Sequence, residues 1–104
     1  MHAVTIVDGK LEWREHPDPV AGTGELLVRV RAAGVCRGDL MQHAGMYPPP
    51  PGTTPPDRPG LELAGEVVEG GPGVRRFGPG DRVMAVVTGA GQSELAVVPE
   101  LVAM

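Results

Sequence analysis

Short runs of alternating apolar and polar residues, each cut off by glycine or proline, constrain the possible folds of this chain more than any other feature. The clearest run is Glu25 to Ala33, where Leu26, Val28 and Val30 face one way and Leu27, Arg29 and Arg31 the other. A period of two marks a half-buried strand. Similar runs predict strands over His2 to Val7, Lys10 to Glu15, Leu61 to Glu69, Arg82 to Thr88 and Ser93 to Pro99. Asp8-Gly9 between the first two is a two-residue hairpin signal, and Gly89-Ala90-Gly91 suggests a hairpin-like link between the last two. Many short strands predict a mainly β fold, a partly closed β-barrel, because closure removes exposed sheet edges.

Sixteen glycines and twelve prolines in 104 residues approach the composition of a disordered chain. The glycines, however, punctuate the apolar runs instead of forming a tract, as a domain with many tight turns requires. The whole length makes one domain, 1–104, and with only three aromatics its core must be built from Val, Leu, Ala and Met. A formal net charge of -4 with no cluster of basic residues argues against nucleic acid or an anionic membrane as a partner. Arg75-Arg76, the one adjacent basic pair, reads as a solvated turn before Phe77. No apolar run is long enough to span a bilayer, and the first residues lack the basic-then-apolar pattern of a signal peptide. A single cysteine forms no internal disulfide, so a reducing cytoplasm is the expected compartment.

After the third strand, Arg37 to Ala44 reads as one short helix with Leu40, Met41 and Ala44 on a common side and Gly45 closing it. Met46 to Pro59 holds seven prolines and must be an irregular loop, either a spacer or the rim of a binding cleft. Gly65, inside a strand, marks a bulge or a close backbone approach.

Three segments are the most informative: Gly34-Val35-Cys36-Arg37-Gly38-Asp39, Pro59-Gly60-Leu61-Glu62-Leu63-Ala64-Gly65-Glu66-Val67, and Gly73-Val74-Arg75-Arg76-Phe77-Gly78-Pro79-Gly80-Asp81-Arg82-Val83, the last a turn that does no chemistry itself. In this order and spacing the chain resembles the GroES-like N-terminal domain of the medium-chain dehydrogenase/reductase superfamily. In zinc alcohol dehydrogenases of that superfamily the second segment reads Gly-His-Glu, and its His joins the Cys of the first in holding the catalytic zinc. Here Leu61 stands where that His would be, and a leucine cannot ligate metal. The resemblance is therefore to the zinc-free NADPH:quinone oxidoreductase branch. One cysteine and three histidines (His2, His16, His43), none at ligand spacing from Cys36, also argue against a metal site.

Cys36 is either a small buried hydrophobe or part of the site; at the matching position quinone oxidoreductases commonly carry an Asn close to the nicotinamide. Arg37 beside it favours thiolate, and the resemblance puts both residues on the cofactor side. Gly45-Met46-Tyr47-Pro48 is similar to the Gly-x-Tyr-Pro stretch of that branch, which implies that Tyr47 borders the nicotinamide and the substrate. In related enoyl thioester reductases such a Tyr donates a proton after hydride transfer, and a phenol is a plausible acid for an enolate. The alternative is that Tyr47 clamps its own proline-rich loop. Asp81 is expected to fix its turn through backbone bonds, and Glu62 to be structural, paired with an arginine.

No Gly-x-Gly-x-x-Gly follows a strand, so the dinucleotide fingerprint is missing. The expectation is a substrate-side domain that transfers hydride to a quinone or other α,β-unsaturated carbonyl, with NADPH bound mainly by a domain beyond Met104. Enoyl thioester reduction and a non-catalytic β-barrel module that associates with itself or a partner remain the competing readings.

Overall fold

The computed structural model describes residues 1–45 and 55–104. Their order is β1 (His2–Val7), β2 (Lys10–Glu15), β3 (Glu25–Ala33), α1 (Arg37–His43), β4 (Glu62–Gly70), β5 (Arg82–Val86) and β6 (Leu95–Pro99), ending in a 3₁₀ turn over Glu100–Val102. All strand pairings are antiparallel. β1 and β2 form one two-stranded sheet, and the other four form a sheet in the order β5-β4-β3-β6. The two sheets meet at a bridge between Ala3 and Ser93 and do not close into a full barrel.

Asp8 (φ 51°) and Gly9 (φ 75°) both adopt positive φ, which gives the β1–β2 link the twist a two-residue hairpin requires. The core lies on the inner face of the larger sheet. Leu26 and Val28 of β3, Leu63 and Val67 of β4, Val83 and Ala85 of β5, and Ala96 and Val98 of β6 are all buried. The expected alternation thus holds across the sheet, although Leu27, on the side of Arg29 and Arg31, is buried as well. Truncating the fully buried Leu26 to Ala would cost about 2–5 kcal/mol.

Three expectations need correction. Gly89-Ala90-Gly91 does not close a hairpin: β5 and β6 are the opposite edges of the sheet, and β6 pairs with β3. The N–H groups of Ala90 and Gly91 are instead drawn to the carbonyls of Arg58 and Gly60, so this loop crosses the end of the sheet. Helix α1 does not bury its apolar side. Leu40 is 63% exposed, while Asp39 and Gln42 are buried. Hydrogen bonds decide this docking: Gln42 Nε2 donates to the carbonyls of Pro56 (3.0 Å) and Arg58 (3.3 Å). Lastly, Glu62 pairs with no arginine among the described residues; its strand neighbour Glu66 does, 3.1 Å from Arg31 Nε.

The loop before β5 follows expectation. Asp81 Oδ2 accepts the Gly78 N–H at 2.8 Å. Glu100 Oε2 accepts the N–H groups of Arg75 (2.8 Å) and Arg76 (2.7 Å), so the paired arginines belong to an anchored turn.

Candidate functional site

Three chain segments meet at Gly60. Its N–H donates to Asp39 Oδ1 at 3.0 Å, and its carbonyl accepts the Gly91 N–H at 2.9 Å. A Cβ on Gly60 would lie 2.3 Å from the backbone nitrogen of Gln92, and φ there is +117°, so only glycine fits. Gln92 Nε2 reaches across to the Gly34 carbonyl (3.3 Å), which ties the loop to the end of β3. Gly34 in turn donates to the Glu62 carbonyl (3.3 Å), and the Glu62 side chain lies where a Cβ on Gly34 would be.

Cys36 follows two residues later, half-buried, with a free thiol, at the start of α1. The Cys36 N–H donates to Asp39 Oδ2 at 2.9 Å. One buried carboxylate therefore holds both Cys36 and Gly60, the residue before Leu61. Sequence reasoning missed this role of Asp39. Its signal was the position three residues after the helix cap, where an acidic side chain can reach back to the cap N–H. Arg37 is exposed on the first turn of the helix. Tyr47 lies outside the described residues.

Beside the end of β3 is an open depression of about 440 Å³, walled by Ala32, Ala33, Ala64, Met84 and Val86, with Gly34 and Glu62 at its margin. Glu62 carries the one charged side chain among the described residues that line it. Neither Cys36 nor Arg37 lines it.

Each histidine is engaged elsewhere. The His2 ring stacks on Trp13, centroids 5.8 Å apart. His43 Nε2 lies 2.7 Å from the Gly9 carbonyl. His16 sits between Thr5 Oγ1 (2.8 Å from Nε2) and Arg58 Nη2 (2.9 Å from Nδ1). Thr5 uses its one hydroxyl proton on the Ala3 carbonyl, and Arg58 can only donate, so Nε2 of His16 donates and Nδ1 accepts. Among the described residues no group of three or more His, Cys, Asp and Glu side chains is placed to hold a metal ion, and no helix is long and apolar enough to cross a membrane.

Residues 22–100 match the alcohol dehydrogenase GroES-like domain. The chain belongs to that family. It is thereby part of the medium-chain dehydrogenase/reductase superfamily of oxidoreductases, as its three motif segments imply. It is 40% identical over 89 residues to an acryloyl-coenzyme A reductase from Metallosphaera sedula, covering 84% of this chain and 26% of that protein. Among solved structures, a mycobacterial protein complexed with NADPH superposes with a TM-score of 0.83 at 28% identity, covering 99% of this chain and 33% of the other. A mycobacterial quinone oxidoreductase gives 0.82 at 30% identity, over 99% and 32% of the two chains. A thermostable alcohol dehydrogenase from Pyrobaculum aerophilum, solved with cobalt and zinc bound, gives 0.86 at 30% identity, over 100% and 40%. The chain thus spans about a quarter of that curated relative and between a third and two fifths of these structures.

Proposed function

We propose that this GroES-like domain is the substrate side of an NADPH-dependent, zinc-independent reductase acting on a quinone or another α,β-unsaturated carbonyl. The observation that carries the reading is the pairing of Cys36 with Leu61. Asp39 ties the segments bearing these two residues to each other, yet the second offers an aliphatic side chain where a metal would need an imidazole. An acceptor that is already electrophilic needs no Lewis acid, so positioning in a water-poor cleft becomes the main task of the protein.

The apolar depression beside Gly34 suits a planar, weakly polar ring, and Cys36 and Arg37 at the adjoining helix start are the residues this reading assigns to the cofactor side. NADPH, when bound, would supply the hydride. Within this chain Asp39 fixes the backbone that borders the ring, the alanines and Met84 offer it an apolar surface, and the Tyr47 hydroxyl delivers a proton to the reduced acceptor. The chain spans a quarter to two fifths of proteins of this kind, so the remaining contacts, those to the pyrophosphate and ribose above all, fall to a nucleotide-binding domain.

Enoyl thioester reduction is the second reading, favoured by the 40% identity to the acryloyl-coenzyme A reductase. A chimera separates the two. The chain replaces the matching third of the mycobacterial quinone oxidoreductase, and NADPH consumption is followed with a quinone and with an enoyl thioester. The proposal predicts turnover of the quinone, and the second reading predicts a preference for the thioester. A folded chimera that binds NADPH and reduces neither acceptor contradicts both. In the same chimera Tyr47→Phe should lower kcat/KM modestly with the quinone and more with the thioester, within the roughly 10²–10⁴-fold range of general acid catalysis. Unchanged values with both acceptors would return Tyr47 to a loop-clamping role.

A further inference from the structure

The β1–β2 hairpin has features that the proposed reaction does not use. Its inner face, with Ala3 and Thr5, is buried against the domain. Its outer face carries Val4, Ile6, Leu11 and Trp13 together, because Val4 pairs with Trp13 and Ile6 with Leu11. Leu11 is 53% exposed and Trp13, the only tryptophan, 58%. β1 is bonded along both edges: its outer N–H groups at Val4 and Ile6 donate to the carbonyls of Gln92 and Asp57. β2 pairs with β1 alone among the described strands.

The register shows which backbone groups of β2 point away from β1. Val4 and Ile6 spend their N–H groups away from β2, so Val4–Trp13 and Ile6–Leu11 are the non-hydrogen-bonded pairs of the hairpin. The backbone groups of Leu11, Trp13 and Glu15 therefore point outward, along a strand without proline or bulge. Natural proteins block such an edge or use it.

We propose that a second copy of this chain pairs antiparallel on the β2 edge, about a two-fold axis through Trp13. The charge pattern selects this occupant, because β2 is complementary to itself. With Trp13 opposite Trp13, Glu12 of each copy faces Arg14 of the other, twice, at positions where cross-strand side chains lie closest. Leu11 and Glu15 then complete the flanking hydrogen-bonded pairs. The neighbouring register, centred on Leu11, requires the carbonyl of Gly9, which already accepts from His43 and sits in the turn at positive φ. The two apolar hairpin faces become continuous, and the two tryptophans form an aromatic cross-strand pair.

The test is sedimentation velocity of the 104-residue chain across a wide concentration range, together with the emission of its single tryptophan. The expected result is a reversible dimer whose formation shifts Trp13 emission to the blue. Glu12→Arg or Arg14→Glu sets like charges opposite each other twice and should weaken the dimer by about tenfold. The double swap, Glu12→Arg with Arg14→Glu, should restore it, and also restores the contact between residues 12 and 14 within one chain. Trp13→Pro is a second probe. It deletes the central outward N–H without removing a bond inside the hairpin, and it should abolish dimerisation while circular dichroism stays unchanged. A chain that is monomeric at every concentration overturns the proposal. So does a dimer indifferent to the single swaps, or one that the double swap fails to restore.

Discussion

Asp39 is the residue on which the candidate site depends most. Its carboxylate is buried and accepts backbone N–H groups from two segments far apart in sequence, Cys36 at 2.9 Å and Gly60 at 3.0 Å. Hydrogen bonds to a charged acceptor contribute about 1.5–3 kcal/mol each, and a buried donor left without a partner costs further. Asp39→Ala should therefore destabilise the domain by about 3 kcal/mol, read as a shift of the urea midpoint at constant slope. Asp39→Asn, which keeps one acceptor oxygen, should cost roughly half of that. A change below about 0.5 kcal/mol in Asp39→Ala would show that the two segments hold together without it. Residue types made Cys36 legible as a candidate, and the substitution of Leu61 for an imidazole could be read directly. The role of Asp39 could not, because apolar spacing assigns the inward side of a short helix to Leu40 and Met41. Here a polar side chain wins that side by satisfying backbone donors.

At the scale of elements, the strands were legible because a period of two shows wherever one face of a sheet is buried. The pairing of β1 with β2 was legible too, from Asp8-Gly9, but the partners within the larger sheet were not. Gly89-Ala90-Gly91 has hairpin composition, yet its N–H groups bond to Arg58 and Gly60, and nothing local in the sequence records that long-range choice. Gly65 was legible as a point of close approach: a Cβ there would lie 2.2 Å from the Arg29 carbonyl oxygen, next to the register shift between β3 and β4. Gly65→Ala should accordingly destabilise by more than about 2 kcal/mol, or leave the protein insoluble, whereas Gly78→Ala, which meets nothing within 4 Å, should be tolerated. The junction of the two sheets has its own pH dependence. Glu94 accepts the His2 N–H, and that bond, together with the His2 side chain, holds the Glu94 carboxyl below its ordinary value. A carboxyl depressed in the folded state adds stability above its unfolded pKa and loses it as pH falls through the folded one. The melting temperature should thus decline more steeply in acid for the wild type than for Glu94→Gln. Parallel profiles would show that the contact adds nothing.

At the scale of the molecule, family membership was readable from three short motifs, and a mainly β fold with a short helix from the alternating runs that glycines and prolines interrupt. The proteins named above are about two and a half to just over three times as long as this chain, and most nucleotide contacts are expected in the part it does not span. The isolated 104 residues should accordingly show negligible NADPH:quinone reductase activity, measured as NADPH oxidation, and appreciable turnover would mean that the division of labour is drawn wrongly. Metal content bears most directly on the central claim, because the proposal rests on Leu61 offering an aliphatic side chain where a zinc site would need an imidazole. The decisive measurement is elemental analysis of the reductase chimera after dialysis against a chelator, with turnover followed in the same sample. The account predicts far less than one zinc per chain and full activity; one zinc per chain, or activity that returns only when zinc is added, would contradict it.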